Sequence, residues 1–148
     1  MFGSILVGTD GSDTATTAVR YAIDLARQLG ARLQIVSAYE PVSGQRLRHE
    51  GLEAPSDVQW MVNPREDVLA LLDRAATEAR DAGVADVDTF ARQGDAADAI
   101  IDVSEEVRSD LIVVGNRGMT GAKRFLLGSV PNKVSHHAPC SVLIVRTT

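Results

Sequence analysis

A single cysteine in 148 residues leaves no room for an intrachain disulfide framework or a cysteine-rich metal site. Aromatic residues are scarce and alanine is abundant, a mixture that suits helices packed on a sheet. Basic excess is missing as well. The formal net charge of -5 gives no electrostatic footprint for DNA or RNA, so a nucleic-acid partner is not expected. No apolar run approaches the ~20 residues that a membrane span needs. Met1 leads almost directly into Ile5-Leu6-Val7, without a basic stretch and an apolar core before it. The expectation is a soluble, cytoplasmic protein with no membrane partner. Cys140 precedes an apolar run and reads as a small core residue rather than a nucleophile.

What the chain does contain is a regular alternation of strand and helix patterns. Ser4–Gly8 is a short apolar run, and Ala15, Ala18, Val19, Ala22, Leu25, Ala26 and Leu29 follow at helical spacing. Ser12 is placed to cap that helix and Gly30 to stop it. Residues 33–38 read as a second strand. Residues 39–63 carry neither period, and connections this long inside a compact domain are often functional. Asn63-Pro64-Arg65-Glu66 then predicts a helix start, with Asn63 as cap and Pro64 in the first turn, where its missing N–H costs nothing. That helix runs toward Gly83 with Val68, Leu72, Ala75, Ala76 and Ala79 inward. Residues 87–91 predict a third strand. Asp95 caps a helix carrying Ala99, Ile100, Val103 and Val107, residues 111–114 form a fourth strand, and residues 128–137 a last helix. Ser141–Val145 closes the series as a fifth strand. No repeat or linker divides the chain, so residues 1–148 are expected to form one domain. The alternation implies a mostly parallel sheet with helices on both faces, an α/β fold of three layers. Such sheets bind ligands beyond the carboxyl ends of their strands, where strand order reverses.

Gly115-Asn116-Arg117-Gly118 follows the fourth strand, nine residues intervene, and Gly128-Ser129-Val130 then opens the last helix. Glycine at a strand exit permits positive φ and close approach of a ligand. A helix N-terminus supplies unpaired N–H groups and partial positive charge. The two glycine clusters are therefore placed to wrap a phosphate from two sides, or simply to turn the chain. Lys123 and Arg124, with Arg117 nearby, read either as a solvated loop or as charge assistance for a bound anion. A second glycine-bearing exit, Gly8-Thr9-Asp10-Gly11, follows the first strand. Both exits line one crevice if their strands are neighbours.

The spacing Gly-x2-Gly-x9-Gly-Ser, with Val7-Gly8-Thr9-Asp10-Gly11-Ser12 and the tail His137-Ala138-Pro139-Cys140-Ser141-Val142-Leu143-Ile144-Val145, resembles the nucleotide-binding branch of the universal stress protein family. The resemblance runs the length of the chain. It implies a Rossmann-like, adenine-nucleotide α-hydrolase-like fold with a five-stranded parallel sheet in the order 3-2-1-4-5, and a homodimer. It also implies binding of ATP or another adenine nucleotide, with ADP, AMP and cyclic AMP as alternatives. Carried over by position, Gly115, Gly118, Gly128, Ser129 and Val130 would contact ribose and phosphates, flanked by Val114, Asn116 and Arg117. Gly8, Thr9, Asp10 and Ala38 would face the adenosine end. Asp10 is suited to accept from a ribose hydroxyl, to join a magnesium shell beside the phosphates, or to cap the first helix. Many family members carry Ser or Thr after Gly-Ser-Val, whereas this chain has Pro131, which offers neither N–H nor hydroxyl.

Other nucleotide chemistries fit poorly. The Gly-x4-Gly-Lys-Ser/Thr pattern of P-loop hydrolases is missing. So are the Ser-Gly-Gly-x-Asp-Ser loop of ATP pyrophosphatases and the phosphoacceptor aspartate of receiver domains, where this chain has Ala91-Arg92-Gln93-Gly94. His136 and His137 close the last helix, where imidazolium suits the carbonyl end of the dipole, and His49 has no partner spacing; no catalytic residue is assigned. Three functions remain in view. One is a nucleotide-binding regulatory protein with a role in the stress response. Another is a slow magnesium-dependent ATPase or phosphotransferase using Asp10 with Lys123 or Arg124, with weak hydrolysis at most. The last is a nucleotide-free dimeric module. An apolar final strand at a sheet edge gives Val142, Leu143, Ile144 and Val145 a physical motive to pair with a second copy.

Overall fold

The computed structural model describes residues 2–39, 64–116 and 127–147. Nine elements alternate along them: β1 (Ser4–Gly8), α1 (Asp13–Leu29), β2 (Arg32–Tyr39), α2 (Arg65–Asp81), β3 (Val87–Gln93), α3 (Ala96–Val107), β4 (Leu111–Gly115), α4 (Ser129–His137) and β5 (Ser141–Val145). The strands form one five-stranded sheet in the order β3-β2-β1-β4-β5, and every pairing is parallel. The architecture implied by the family resemblance is therefore the one observed.

Strand alternation sorts side chains into two layers. On one face Ile5, Val7, Leu33, Ile35, Leu111 and Val113 pack against the alanine-rich inner stripes of α1 and α2. On the other, Leu6, Val36, Ala38, Ile112 and Val114 meet Ala96, Ala97, Ile100 and Val103 of α3 and Val130 and Val134 of α4. Small alanines let helix backbones lie close to the sheet, which is why so few aromatics suffice to fill the core. The central strands β1 and β4 are shielded on both faces, so their runs read as continuously apolar instead of alternating.

Helix ends follow from local chemistry. Ser12 caps α1, its hydroxyl accepting from the Ala15 N–H. Gly30 ends α1 in the left-handed conformation at φ 64°, which glycine adopts without a Cβ penalty. Asp95 caps α3 by accepting from the Asp98 N–H. Arg108 closes α3 at φ 55°, the one non-glycine residue at positive φ among those described.

Several expectations need correction. Leu29 continues the helical spacing of the apolar residues of α1 but is 51 % exposed, while Ile23, outside that spacing, is buried. Pro64 is the residue before α2 rather than part of its first turn, and Asn63 lies outside the described residues. Helix α2 ends at Asp81, short of Gly83. Strands β2 and β3 run longer than expected, because β2 and β3 keep pairing as far as Tyr39 with Gln93. Cys140 is half-buried, with its sulfur 3.7 Å from the Ser104 hydroxyl and 3.8 Å from that of Ser109. It packs against the edge of the apolar layer under α3 and α4, as expected of a small core residue, with two serine hydroxyls beside its sulfur.

Candidate functional site

Strand order reverses at β1, which has β2 on one side and β4 on the other. The chain builds β2 and β3 outward from β1, then returns to build β4 and β5 in the opposite direction. The carboxyl ends of β1 and β4 therefore flank the switch point of the sheet, where helices diverge to opposite faces and leave a crevice. Thr9 and Asp10 leave β1 there, and Gly115 and Asn116 leave β4. The condition that the two glycine-bearing exits be neighbours is met, with Ile5, Leu6 and Val7 in register with Leu111, Ile112 and Val113.

The β1 exit is tightly held. The Thr9 N–H donates to the Val36 carbonyl at 3.0 Å, extending the β1–β2 ladder by one residue. The Thr9 carbonyl accepts from the Ser37 hydroxyl at 2.6 Å, and the Thr9 hydroxyl accepts from the Gly11 N–H at 3.2 Å. Gly11 takes φ 83°, a value that lets the chain turn sharply into α1. Asp10 is buried, and its Oδ1 accepts from both the N–H of Ser12 at 2.9 Å and its hydroxyl at 2.6 Å. Ser12 is thus the helix cap, and Asp10 orients the cap rather than serving as one. Asp10 and Thr9 are the polar groups buried at this exit, with Ser37 behind them.

The β4 exit is organised by Asn116. Its N–H donates to the Val145 carbonyl at 2.9 Å, continuing the β4–β5 ladder. Its side-chain Oδ1 accepts twice from Thr147, from the N–H at 3.0 Å and the hydroxyl at 2.8 Å. Its own carbonyl accepts from the Gly128 N–H at 3.4 Å. The two ends of the glycine-bounded loop are therefore joined at their base. Gly128 is the N-cap of α4 with φ -64°, and Gly115 is not among the positive-φ glycines. The expected backbone freedom is not what glycine supplies at either place. At Gly115 an added Cβ would stand 3.4 Å from both the Thr14 carbonyl oxygen and the Thr147 methyl, an ordinary contact, so only side chains larger than alanine would be crowded there.

At the start of α4 the N–H groups of Ser129 and Val130 have no acceptor among the described residues, while Gly128 has spent its N–H on Asn116. Pro131 has none to offer. The first turn thus presents two adjacent backbone donors and the exposed Ser129 side chain, at the positive end of the helix dipole. This donor set fits an anionic oxygen such as a phosphate's. Val130 is buried against α3 and the sheet and anchors the turn. Lys133, one turn on, bonds Asp98 at 2.8 Å and Asp95 at 3.4 Å, tying α4 to the start of α3. Asp98 above all raises the pKa of the Lys133 ammonium. Ala38 lies buried at the end of β2, on the same face as Val114. Gly8, Thr9, Asp10, Ala38, Val114, Gly115, Asn116, Gly128, Ser129 and Val130 all belong to strand exits or to the α4 start. Arg117, Gly118, Lys123 and Arg124 lie outside the described residues. Among the described residues no group of three or more His, Cys, Asp or Glu side chains is arranged to hold a metal ion.

Two residues of this region were not anticipated. Ser37 has a signal in the sequence, since a hydroxyl inside an apolar strand must find a partner when buried. Thr147 has none, because its partner Asn116 is 31 residues away.

The fold is a Rossmann-like α/β architecture with a crevice at the switch point of a parallel sheet. The model of the universal stress protein family matches residues 1–146, and the chain belongs to that family. It is similar to a universal stress protein of Mycobacterium tuberculosis, 37 % identical over 150 residues that cover 99 % of this chain and 98 % of the relative. A universal stress protein of Thermus aquaticus is 38 % identical over 149 residues, covering 99 % and 100 %. Among solved structures, a universal stress protein in complex with cAMP aligns with a TM-score of 0.74 at 33 % identity, covering 99 % of both chains. A universal stress protein from Archaeoglobus fulgidus, 23 % identical, shares the fold with a TM-score of 0.73 over 99 % of this chain and 100 % of that one. No described helix is long and apolar enough to cross a membrane.

Proposed function

We propose that this chain binds an adenine nucleotide at the switch point and acts as a regulatory protein with little or no turnover. The observation that carries this reading is the joining of the two glycine-bearing ends. The Gly128 N–H reaches the Asn116 carbonyl, which sets the donors of the α4 start beside the β1 and β4 exits. Ser129 and Val130 then give two amides and a hydroxyl to phosphate oxygens, while Thr9, Asp10 and Ala38 take the adenosine end. The similar protein solved with cAMP supports an adenine nucleotide as the class of ligand. Magnesium would enter with the nucleotide, bound largely by phosphate oxygens and water, with Asp10 as the buried carboxylate at the β1 exit.

Pro131 shapes the preference. Its position in the first turn of α4 removes one backbone donor and places a ring where many relatives carry a hydroxyl. The outermost phosphate contact is weakened, so ATP, ADP, AMP and cyclic AMP differ less in affinity than the full donor set would make them. Calorimetry with the four nucleotides tests both points. Binding of none of them overturns the reading, and a large preference for ATP that Pro131→Thr leaves unchanged overturns the role given to proline.

The same reading includes a homodimer in the cytoplasm, formed along β5. That strand is the edge of the sheet, and Leu143 on it is 40 % exposed. Unpaired backbone groups beside aliphatic side chains favour pairing with a second copy. Light scattering that returns a monomer at micromolar concentration contradicts it.

A further inference from the structure

Thr147 follows the last strand, outside every motif, yet it supplies both donors held by the Asn116 side chain. Its methyl group also lies 3.4 Å from the point where a Gly115 Cβ would stand. Thr147 is therefore the immediate neighbour of Gly115, in contact range of any side chain placed there. Asn116 is in turn the residue whose carbonyl receives the Gly128 N–H. Side-chain and main-chain bonds of one residue thus connect the C-terminal tail, the β4 exit and the cap of α4.

An asparagine at a strand exit has freedom in ψ, and ψ decides where its carbonyl points. Two hydrogen bonds from Thr147 to Oδ1 and one from Asn116 N–H to Val145 hold the residue's N–Cα–Cβ frame in place, so that the remaining rotation about ψ is taken up by the bond to Gly128. The carbonyl is then aimed at Gly128, which has no side chain with which to cap its own helix. We infer that Thr147 is a positioning residue for the nucleotide site: through Asn116 it fixes the α4 start, and with it the direction of the Ser129 and Val130 amides. The nucleotide part of this inference rests on the function proposed above; the link from Thr147 to Gly128 does not.

Neutral hydrogen bonds contribute about 0.5–1.5 kcal/mol each, so losing one leaves the domain folded. Thr147→Val keeps the shape and the backbone donor but deletes the hydroxyl; Thr147→Ser restores the hydroxyl; Asn116→Ala deletes the acceptor of both bonds. Two readouts are taken on each: amide hydrogen exchange at Gly128 without ligand, and affinity for cyclic AMP and ATP by calorimetry. The expected result is exchange at Gly128 several-fold faster in Thr147→Val and faster still in Asn116→Ala. Nucleotide affinity falls about 3–10-fold in Thr147→Val, a range equal to the loss of one such bond, and Thr147→Ser recovers both readouts. Unchanged exchange in both Thr147→Val and Asn116→Ala overturns the link to Gly128. Faster exchange with unchanged nucleotide affinity overturns the positioning role. If the unmodified protein binds no adenine nucleotide, the proposed function fails, and exchange at Gly128 alone decides the link.

Discussion

The Ser37 hydroxyl donates to the Thr9 carbonyl across 2.6 Å, from one buried residue to another. β2 thereby holds the first residue beyond β1, at the point where the chain leaves the sheet for the crevice. Ser37→Ala leaves that carbonyl without this donor and is expected to cost about 1–2 kcal/mol of stability. Nucleotide affinity falls with it, because Thr9 and Asp10 lose their backing. Urea denaturation and calorimetry on the same variant check the two effects; Ser37→Thr retains the donor and recovers part of both.

Asp10 is predicted to act first on the turn into α1. Its Oδ1 takes two hydrogen bonds from Ser12, and an asparagine oxygen accepts both as well. Asp10→Asn therefore stays within about 1 kcal/mol of the parent, whereas Asp10→Ala loses more, since the Ser12 cap is worth ~1 kcal/mol by itself and is no longer oriented. Equal destabilisation of the two variants would refute this division.

At Gly115 the expected dependence is on size. Alanine meets its neighbours at 3.4 Å, an ordinary contact, and changes stability by less than about 0.5 kcal/mol. Valine overlaps Thr147 or the start of α1 and costs about 1–3 kcal/mol. Thermal denaturation of the series Gly, Ala, Val reads it directly. A uniform loss beginning at alanine would return the explanation to backbone conformation.

Arg108 holds the left-handed conformation at φ 55°. Non-glycine residues pay roughly 1–2 kcal/mol there, partly offset in a glycine variant by the freedom of the unfolded chain. Arg108→Gly is expected to raise stability by about 0.5–1 kcal/mol in chemical denaturation. A loss of stability would mean that the arginine side chain contributes more than the backbone strain removes.

Lys133 gives a pH dependence with a definite sign. Its pKa is raised in the folded protein, by the Asp98 hydrogen bond foremost. The contribution to stability is full below the unfolded value of 10.5 and is lost as pH rises through the folded value. Lys133→Met is therefore less stable than the parent near neutral pH, and the two converge in strongly alkaline solution. Lys133 and its two carboxylate partners are exposed to solvent, so added salt shrinks the gap as well.

The order of elements, the inward faces of α2 and α3 and both side-chain caps were legible in the sequence. Each depends on interactions within a few residues, such as Ser12 with Ala15 or Asp95 with Asp98. Strand adjacency was not legible from periodicity; the family resemblance supplied it. What stayed hidden depends on distant contacts. Leu29 follows the α1 period, yet nothing among the described residues covers it and it is exposed. Cys140 looks apolar from its neighbours in the chain, yet folding brings it to Ser104 and Ser109. The glycine at position 115 reads as a source of backbone freedom, whereas it holds no positive φ and its neighbour Thr147 reaches it from beyond the carboxyl end of β5, far along the chain.

The two rims of the sheet differ in kind. Along β3, Asp88, Thr89 and Gln93 face solvent, while β5 offers Val142, Leu143 and Ile144. Were two protomers to join along β5 as proposed, only the β3 rim would be turned outward. Growth would then stop at a closed pair, and stacking into a fibril would find no second aliphatic rim.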